Sequence, residues 1–331
     1  MNSSKLSSLL QGFFTDRLLT ELGASPHTVA SYRDTFRLLL RFASERLRRA
    51  PSRLRFCDLD ASFLGEFLKH LEGERGNCAR TRNNRLSALH AFFRYASLQE
   101  PQDALQCQRV LAIPVKRYER KPVEFLCEQE TAALLSAPDV GTWIGRRDHT
   151  LLLVAVKTGL RNSEITSVRH EDVEFGSGAY IRCQGKGRKL RCTPLEPDSV
   201  PVLKEWVLEQ KGNPEDYVFP SSRGGRLSAD ALQRLVIRHA ASASQVCPSL
   251  KGKPVTPHTL RHTAAMNLLR RGVDLTVIAL WLGHESSETT EVYMHADMRL
   301  KERALAHASL DGVVPERYRP PDPLLAFLES L

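Results

Sequence analysis

Between Thr256 and His295 the chain reads TPHTLRHTAAMNLLRRGVDLTVIALWLGHESSETTEVYMH, and four side chains in it are suited to handling a phosphoryl group. His258 and Arg261 stand three residues apart, His284 follows a second helical segment, and Tyr293 comes nine residues later. The planar fork of an arginine donates two hydrogen bonds to a pair of phosphate oxygens. A tyrosine can attack phosphorus once its phenol is helped to ionise. With an ordinary pKa near 10, doing so at pH 7 costs roughly 4 kcal/mol, which cationic neighbours or a base must offset. The gain is that a phosphotyrosine conserves the energy of the diester, so a second hydroxyl can re-form the bond without ATP. The spacing predicts three short helices able to fold back and bring the four side chains to one cleft.

Two further residues fit the same chemistry. Arg161 stands in TGLRNSEI, just past a helix that Gly159 closes, and Lys186 stands in the glycine-flanked turn QGKG. A second arginine neutralises the growing charge of a phosphodiester, and a lysine or histidine must give a proton to the departing sugar oxygen. Each residue alone has a plainer reading. Arg161 reads as a capping or surface arginine, Lys186 as an exposed turn lysine, His284 as a C-cap and Tyr293 as core. His258 and His262 form H-x-x-x-H, but no glutamate stands between them as in metalloproteases.

These side chains need elements to hold them. Residues 8–22 put Leu9, Phe13, Phe14, Leu18 and Leu22 on one helical face. After Ser25-Pro26, residues 27–47 turn Val29, Tyr32, Phe36, Leu39, Leu40 and Ala43 inward and leave Arg33, Arg37 and Arg41 on the other face. Helices are expected at 60–72 and 79–98, the second opening with Arg80, Arg82 and Arg85. Such a four-helix unit with arginine-rich outer faces suits contact with a nucleic-acid backbone rather than base reading. From about Glu100 to Glu124 periodicity weakens and prolines frame Lys116, Arg117, Arg120 and Lys121, which predicts a linker.

The remainder is expected to hold helices at 128–137 and 147–158, with Ser163 as a cap of the next helix. A hairpin follows, 179–183 and 188–195, whose tight turn lets Lys186 project, and then helices at 200–209 and 229–241. Past Tyr293, residues 297–307 read as helix and 317–323 as a proline-broken strap. Residues 324–331 read as an apolar end that docks either on its own domain or on a neighbouring subunit.

At 331 residues and 42% hydrophobic content the chain can fill two ordinary cores. Its longest apolar run, 151–156, is far short of the ~18 residues of a membrane span, and the first residues lack a signal-peptide pattern. Seven cysteines without a C-x-x-C pair argue against a disulfide framework and a zinc knuckle, so a reducing, cytoplasmic setting is expected. The net charge of +9 lies entirely in residues 1–122, with 21 Lys+Arg against 12 Asp+Glu, while residues 123–331 balance at 26 each. That asymmetry suits a polyanion clamp joined to a site-bearing domain, and equally a solvated basic face.

Together the motifs resemble the tyrosine recombinases, also called the phage integrase family. The residues that carry the resemblance are TGLRNSEI with Arg161 and Glu164, GKGR with Lys186, HTLRHT with His258 and Arg261, LGH with His284, and TTEVYMH with Tyr293. All six catalytic positions of the family are filled in order. The motifs span 124 to about 305, and the layout of residues 1–115 is similar to the family's core-binding domain. One departure is Asn162, where an apolar residue is common and packing alone is expected to change.

The resemblance implies a mainly α fold: a four-helix SAM-like core-binding domain over 1–112, a linker over 113–124, and a mixed α/β, mostly helical catalytic domain with a small antiparallel sheet over 125–331. Arg161 and Arg261 would hold the scissile phosphate, with His258 beside them as hydrogen-bond donor or base. Lys186 would protonate the leaving 5′ oxygen, and His284 would complete the pocket and help place Tyr293. Tyr293 would attack and leave a 3′-phosphotyrosine, with Glu164 in support. Tyr318 lies among prolines without an LGH upstream and is a rival only on paper.

The implied partner is double-stranded DNA at a recombination site, held in a C-shaped clamp. A homo-tetramer would act on paired sites, linked through the apolar C-terminal segment, with no metal or nucleotide cofactor. Integration, excision and replicon resolution are the outcomes implied. Without an arm-binding domain ahead of residue 8, a simple recombinase is favoured over the larger phage integrases. Two rivals are a type IB topoisomerase that relaxes DNA as a monomer, and a catalytically decayed DNA-binding regulator. The H-x-x-R helix, the LGH and the apolar terminus argue against the first, and the intact six positions against the second.

Overall fold

The computed structural model describes residues 5–119, 123–176, 178–185 and 190–283. The chain divides into two compact units, Met1–Arg120 and Lys121–Leu331, each with its own hydrophobic core.

In the first unit α1 (Lys5–Gly12) runs into a π-helical stretch, Phe13–Glu21. α2 (Pro26–Leu47) begins where Ser25 Oγ accepts the Thr28 N–H at 3.2 Å and Pro26 fills the first turn. α3 (Ala61–Gly73) is capped by Asp60, which accepts the Phe63 N–H at 2.8 Å, and α4 (Ala79–Gln99) follows. Phe13 sits edge-on to both Phe36 and Phe92 at the centre of this core.

The stretch expected to be linker departs from that expectation. α5 (Ala104–Leu111) forms there and buries Cys107 and Val110 against the bundle. Beyond it, Asn83 Nδ2 donates to the Lys116 carbonyl at 2.8 Å and Asn83 Oδ1 accepts the Lys116 N–H at 3.1 Å. These bonds hold the chain near Lys116 against α4, so the start of the expected linker belongs with the bundle.

The second unit comprises α6 (Glu128–Leu135), α7 (Trp143–Thr158), α8 (Asn162–Ile165), β1 (Val173–Glu174), β2 (Tyr180–Gln184), β3 (Leu190–Pro194), α9 (Ser199–Gln210), α10 (Ala229–Val246), α11 (Pro257–Arg270) and α12 (Leu275–Leu282). α7 starts before residue 147 because Thr142 Oγ1 accepts the Gly145 N–H at 3.0 Å. The apolar run of α7 is buried on every side, which explains its lack of a polar face.

The sheet is antiparallel in the order β1-β2-β3, with Cys183 opposite Arg191. α11 and α12 share a small core of Ala265, Met266, Leu269, Ile278 and Leu282. Asp148 of α7 is fully buried. It accepts Arg147 Nη2 at 2.7 Å and Arg238 Nη2 at 2.8 Å, and its Oδ2 lies 2.8 Å from His239 Nε2, which ties α7 to α10. Burial pushes its carboxyl upward, but the bonds from His239 and Arg147 hold it below the ordinary range. Among the described residues no helix is long and apolar enough to cross a membrane.

Candidate active site

Two helix ends meet in the second unit. α7 ends at Gly159 and α12 at Gly283, both left-handed at φ 65°, a conformation glycine adopts without strain. Trp281 Nε1 donates to the Thr158 carbonyl at 3.0 Å, and a Cβ added at Gly159 would lie 2.7 Å from Leu282 Cδ2, so the ends are closely packed. Carbonyls at a helix C-terminus carry partial negative charge and favour cations. Arg261 of α11 donates Nη1 to Gly159 O at 2.6 Å and Nη2 to Leu282 O at 2.7 Å. Arg161, just past the end of α7, donates Nη2 to Gly283 O at 2.6 Å. Arg261 is only 3% exposed, whereas the Arg161 side chain is 30% exposed.

Glu164 organises the turn that presents Arg161. Its Oε2 accepts the Arg161 backbone N–H at 2.7 Å and its Oε1 accepts Arg161 Nη1 at 2.8 Å, which starts α8. Ser163, expected to cap this helix, instead lies inside it, and its carbonyl accepts Arg226 Nη2 at 2.9 Å. A residue that sequence reasoning did not single out completes the cluster. Arg191 of β3 forks onto Glu164, Nη1 to Oε1 at 2.8 Å and Nη2 to Oε2 at 2.9 Å. Burial would raise the Glu164 carboxyl, but the Arg191 fork and the Arg161 N–H hold it below the ordinary range, so it is ionised at neutral pH.

His258 stands exposed in the first turn of α11, which Thr256 caps and Pro257 opens, and its ring meets that of His262 edge-on at 4.2 Å. Lys186, His284 and Tyr293 lie outside the described residues, as does everything expected of 297–331. In sequence, β2 and β3 flank Lys186, and Gly283 directly precedes His284. Asn162 Nδ2 donates to Ala229 O at 3.1 Å, so the departure at this position ties α8 to the start of α10.

The arginines expected on a DNA-facing surface separate into two groups. Arg33, Arg37, Arg41, Arg80 and Arg117 are exposed. Lys116 is exposed too, with its Nζ 2.8 Å from Glu72. Arg85 is partly buried, and its Nη1 donates to Ser31 O and Thr35 Oγ1, each at 3.1 Å. Arg82 corrects the sequence reading: it is 6% exposed and its Nη1 donates to Pro114 O at 2.8 Å, so it holds the bundle together. A cavity of about 880 Å³ lined by Cys127, Lys157, Asp198 and Arg270 contains none of the described site residues.

The helical bundle and the mostly helical unit with its small antiparallel sheet share the fold of solved recombinases that align with this chain. Residues 124–299 match the phage integrase family, and residues 12–100 match its N-terminal SAM-like domain. The chain belongs to this family, the tyrosine recombinases. It is 53% identical to y4rC of Sinorhizobium fredii, described as an integrase/recombinase, over 99% of each chain. It is 33% identical to the tyrosine recombinase XerD of Pseudomonas putida, over 89% of this chain and 95% of that protein. Among solved structures, the XerH site-specific recombinase in a post-cleavage complex with palindromic difH substrate aligns with a TM-score of 0.70 at 24% identity, covering 86% of this chain and 80% of that one.

Proposed function

We propose that the chain is a site-specific recombinase that cuts and rejoins double-stranded DNA through a 3′-phosphotyrosine on Tyr293. The observation that carries this reading is the pair Arg161 and Arg261, brought to the carbonyls of Gly283 and Leu282 immediately ahead of His284. Two cations fixed by backbone groups are preorganised for the charge that grows on a phosphodiester in its transition state.

The Tyr293 oxygen attacks phosphorus and the bond to the 5′ oxygen breaks, with Lys186 giving that oxygen its proton. His258 and His284 complete the phosphate contacts, and His258 takes the phenol proton. Reversal with a 5′ hydroxyl from another strand frees Tyr293 and seals the new junction, with no nucleotide consumed. Arg33, Arg37, Arg41, Arg80 and Arg117 make backbone contacts in the first unit. Arg82, whose guanidinium is committed to Pro114, is left out of that set. Two paired sites require a homo-tetramer, and the chain works in the cytoplasm.

The test uses nicked duplexes drawn from DNA flanking the chain's own gene, incubated with wild type and with Tyr293→Phe and separated on denaturing gels. The expected result is a slow covalent band with wild type that is absent with Tyr293→Phe. A band that persists in the variant removes Tyr293 from the mechanism. Tight, specific binding with no band on any substrate, including randomised libraries, supports the decayed regulator instead.

A further inference from the structure

Glu164 is 3% exposed and accepts four hydrogen bonds, two from Arg161 and two from Arg191. A buried carboxylate of that kind has a consequence for charge. Paired with Arg161 alone, it would cancel the guanidinium that is meant to meet the DNA phosphate, and the pair would present no net charge. With the Arg191 fork in place the cluster keeps one positive charge. A bidentate arginine also satisfies both carboxylate oxygens at once, which a single point charge does not.

A second, independent contact places Arg191 at the same spot. A Cβ added at Gly283 would lie 2.6 Å from Arg191 Nη1, so the guanidinium lies directly against the backbone whose carbonyl takes Arg161 Nη2. Arg191, Glu164, Arg161 and Gly283 therefore form a closed ring of contacts, in which the Arg191 side chain is only 14% exposed. It is also the second residue of β3, opposite Cys183 of β2, on the hairpin whose connecting residues include Lys186. One side chain thus ties that hairpin to the turn carrying Arg161.

We propose that Arg191 is a positioning residue for strand transfer, which neutralises Glu164 so that the charge of Arg161 remains available to the scissile phosphate. This rests on the recombinase reading above. Arg191 does not touch the DNA; it acts through Glu164 and Arg161.

The test compares full-length wild type, Arg191→Met and Arg191→Lys on a nicked duplex that gives an adduct with wild type. The same duplex is also made with a methylphosphonate at the scissile position, which lacks one charged oxygen. Adduct formation is followed under single-turnover conditions beside DNA affinity and melting temperature. Arg191→Met is expected to slow adduct formation about 100-fold on the phosphodiester while affinity stays within about threefold, and Arg191→Lys to regain about tenfold. On the methylphosphonate the deficit of Arg191→Met should shrink below about tenfold, because less charge needs neutralising there. A merely structural arginine would slow both substrates alike, and that result, or a variant as fast as wild type, overturns the proposal. Should Arg191→Met not fold, the same comparison of the two substrates is made with Arg191→Lys. Failure of wild type itself to form an adduct strikes the recombinase reading rather than the role of Arg191.

Discussion

Arg161 and Arg261, far apart in sequence, donate to the carbonyls of consecutive residues, Gly283 and Leu282. Arg261 is held by the ends of both α7 and α12 and Arg161 by the end of α12, and the two ends are locked to each other by Trp281 and by glycines that permit the approach. Arg161 is held in addition by the Glu164 carboxylate, which accepts its Nη1 at 2.8 Å. Preorganised charge of this sort need not rearrange when the transition state forms.

The glycine at the end of α12 should therefore tolerate no side chain. Gly283→Ala places a Cβ 2.6 Å from Arg191 Nη1 at a φ of 65°. We expect a loss of roughly 1–3 kcal/mol in stability from the backbone conformation alone. Cleavage should fall further than that loss implies, since Arg161 and Arg191 must both shift. Denaturant titration and single-turnover cleavage measure the two effects, and an alanine variant of wild-type stability and rate would contradict the geometry.

Among the described residues three buried carboxylates set the acid limit of the second unit: Asp148, Glu164 and Glu130, the last bonded to Lys253 Nζ at 2.7 Å. All three lie below their ordinary values, 3.8 for Asp148 and 4.5 for the two glutamates. A carboxylate with a depressed folded value adds stability that is complete above its unfolded value and is lost as pH falls through the folded one. Melting temperature should accordingly be level near neutrality and fall once pH drops below about 4.5. Asp148→Asn should flatten that acid limb and lower stability at neutral pH by roughly 3–5 kcal/mol, because Arg147 is left buried without its carboxylate. An acid limb unchanged in Asp148→Asn would assign it to other groups.

How far these features could be read from the sequence depended on the range of the interaction. Ser25-Pro26 announced α2 because the start of a helix is a local event. Gly159 likewise marked the end of α7, and TGLR marked Arg161. α5 escaped notice because eight residues with two buried positions carry too little periodicity, with Pro101 ahead suggesting a break. Arg82 and Arg80 look alike in sequence. One is turned inward by a carbonyl at Pro114, which only the returning chain supplies. Arg191 is the same case: its partner Glu164 comes from α8, and nothing in the local pattern of β3 distinguishes it from a solvent-facing arginine.

That difference among arginines is testable on DNA. Arg33→Gln, Arg37→Gln and Arg41→Gln should each weaken binding at every sequence and reduce the slope of log affinity against log salt by about 1. Arg82→Gln should leave the slope unchanged and lower the melting temperature, since its guanidinium serves the bundle and not the phosphates. Fluorescence anisotropy over a range of salt concentrations, beside thermal unfolding, separates the two classes. A reduced slope for Arg82→Gln would return it to the DNA surface.

The central claim is that one tyrosine carries the DNA strand, and the most direct measurement is to find the atom to which the DNA is attached. The covalent adduct formed on a nicked substrate is digested with protease and nuclease, and the peptide bearing the residual nucleotide is identified by mass spectrometry. The expected product is a nucleotide linked through its 3′ phosphate to Tyr293, in a peptide containing TTEVYMH. A nucleotide on Tyr318, on a serine or on any other side chain, or a linkage through a 5′ phosphate, would contradict it.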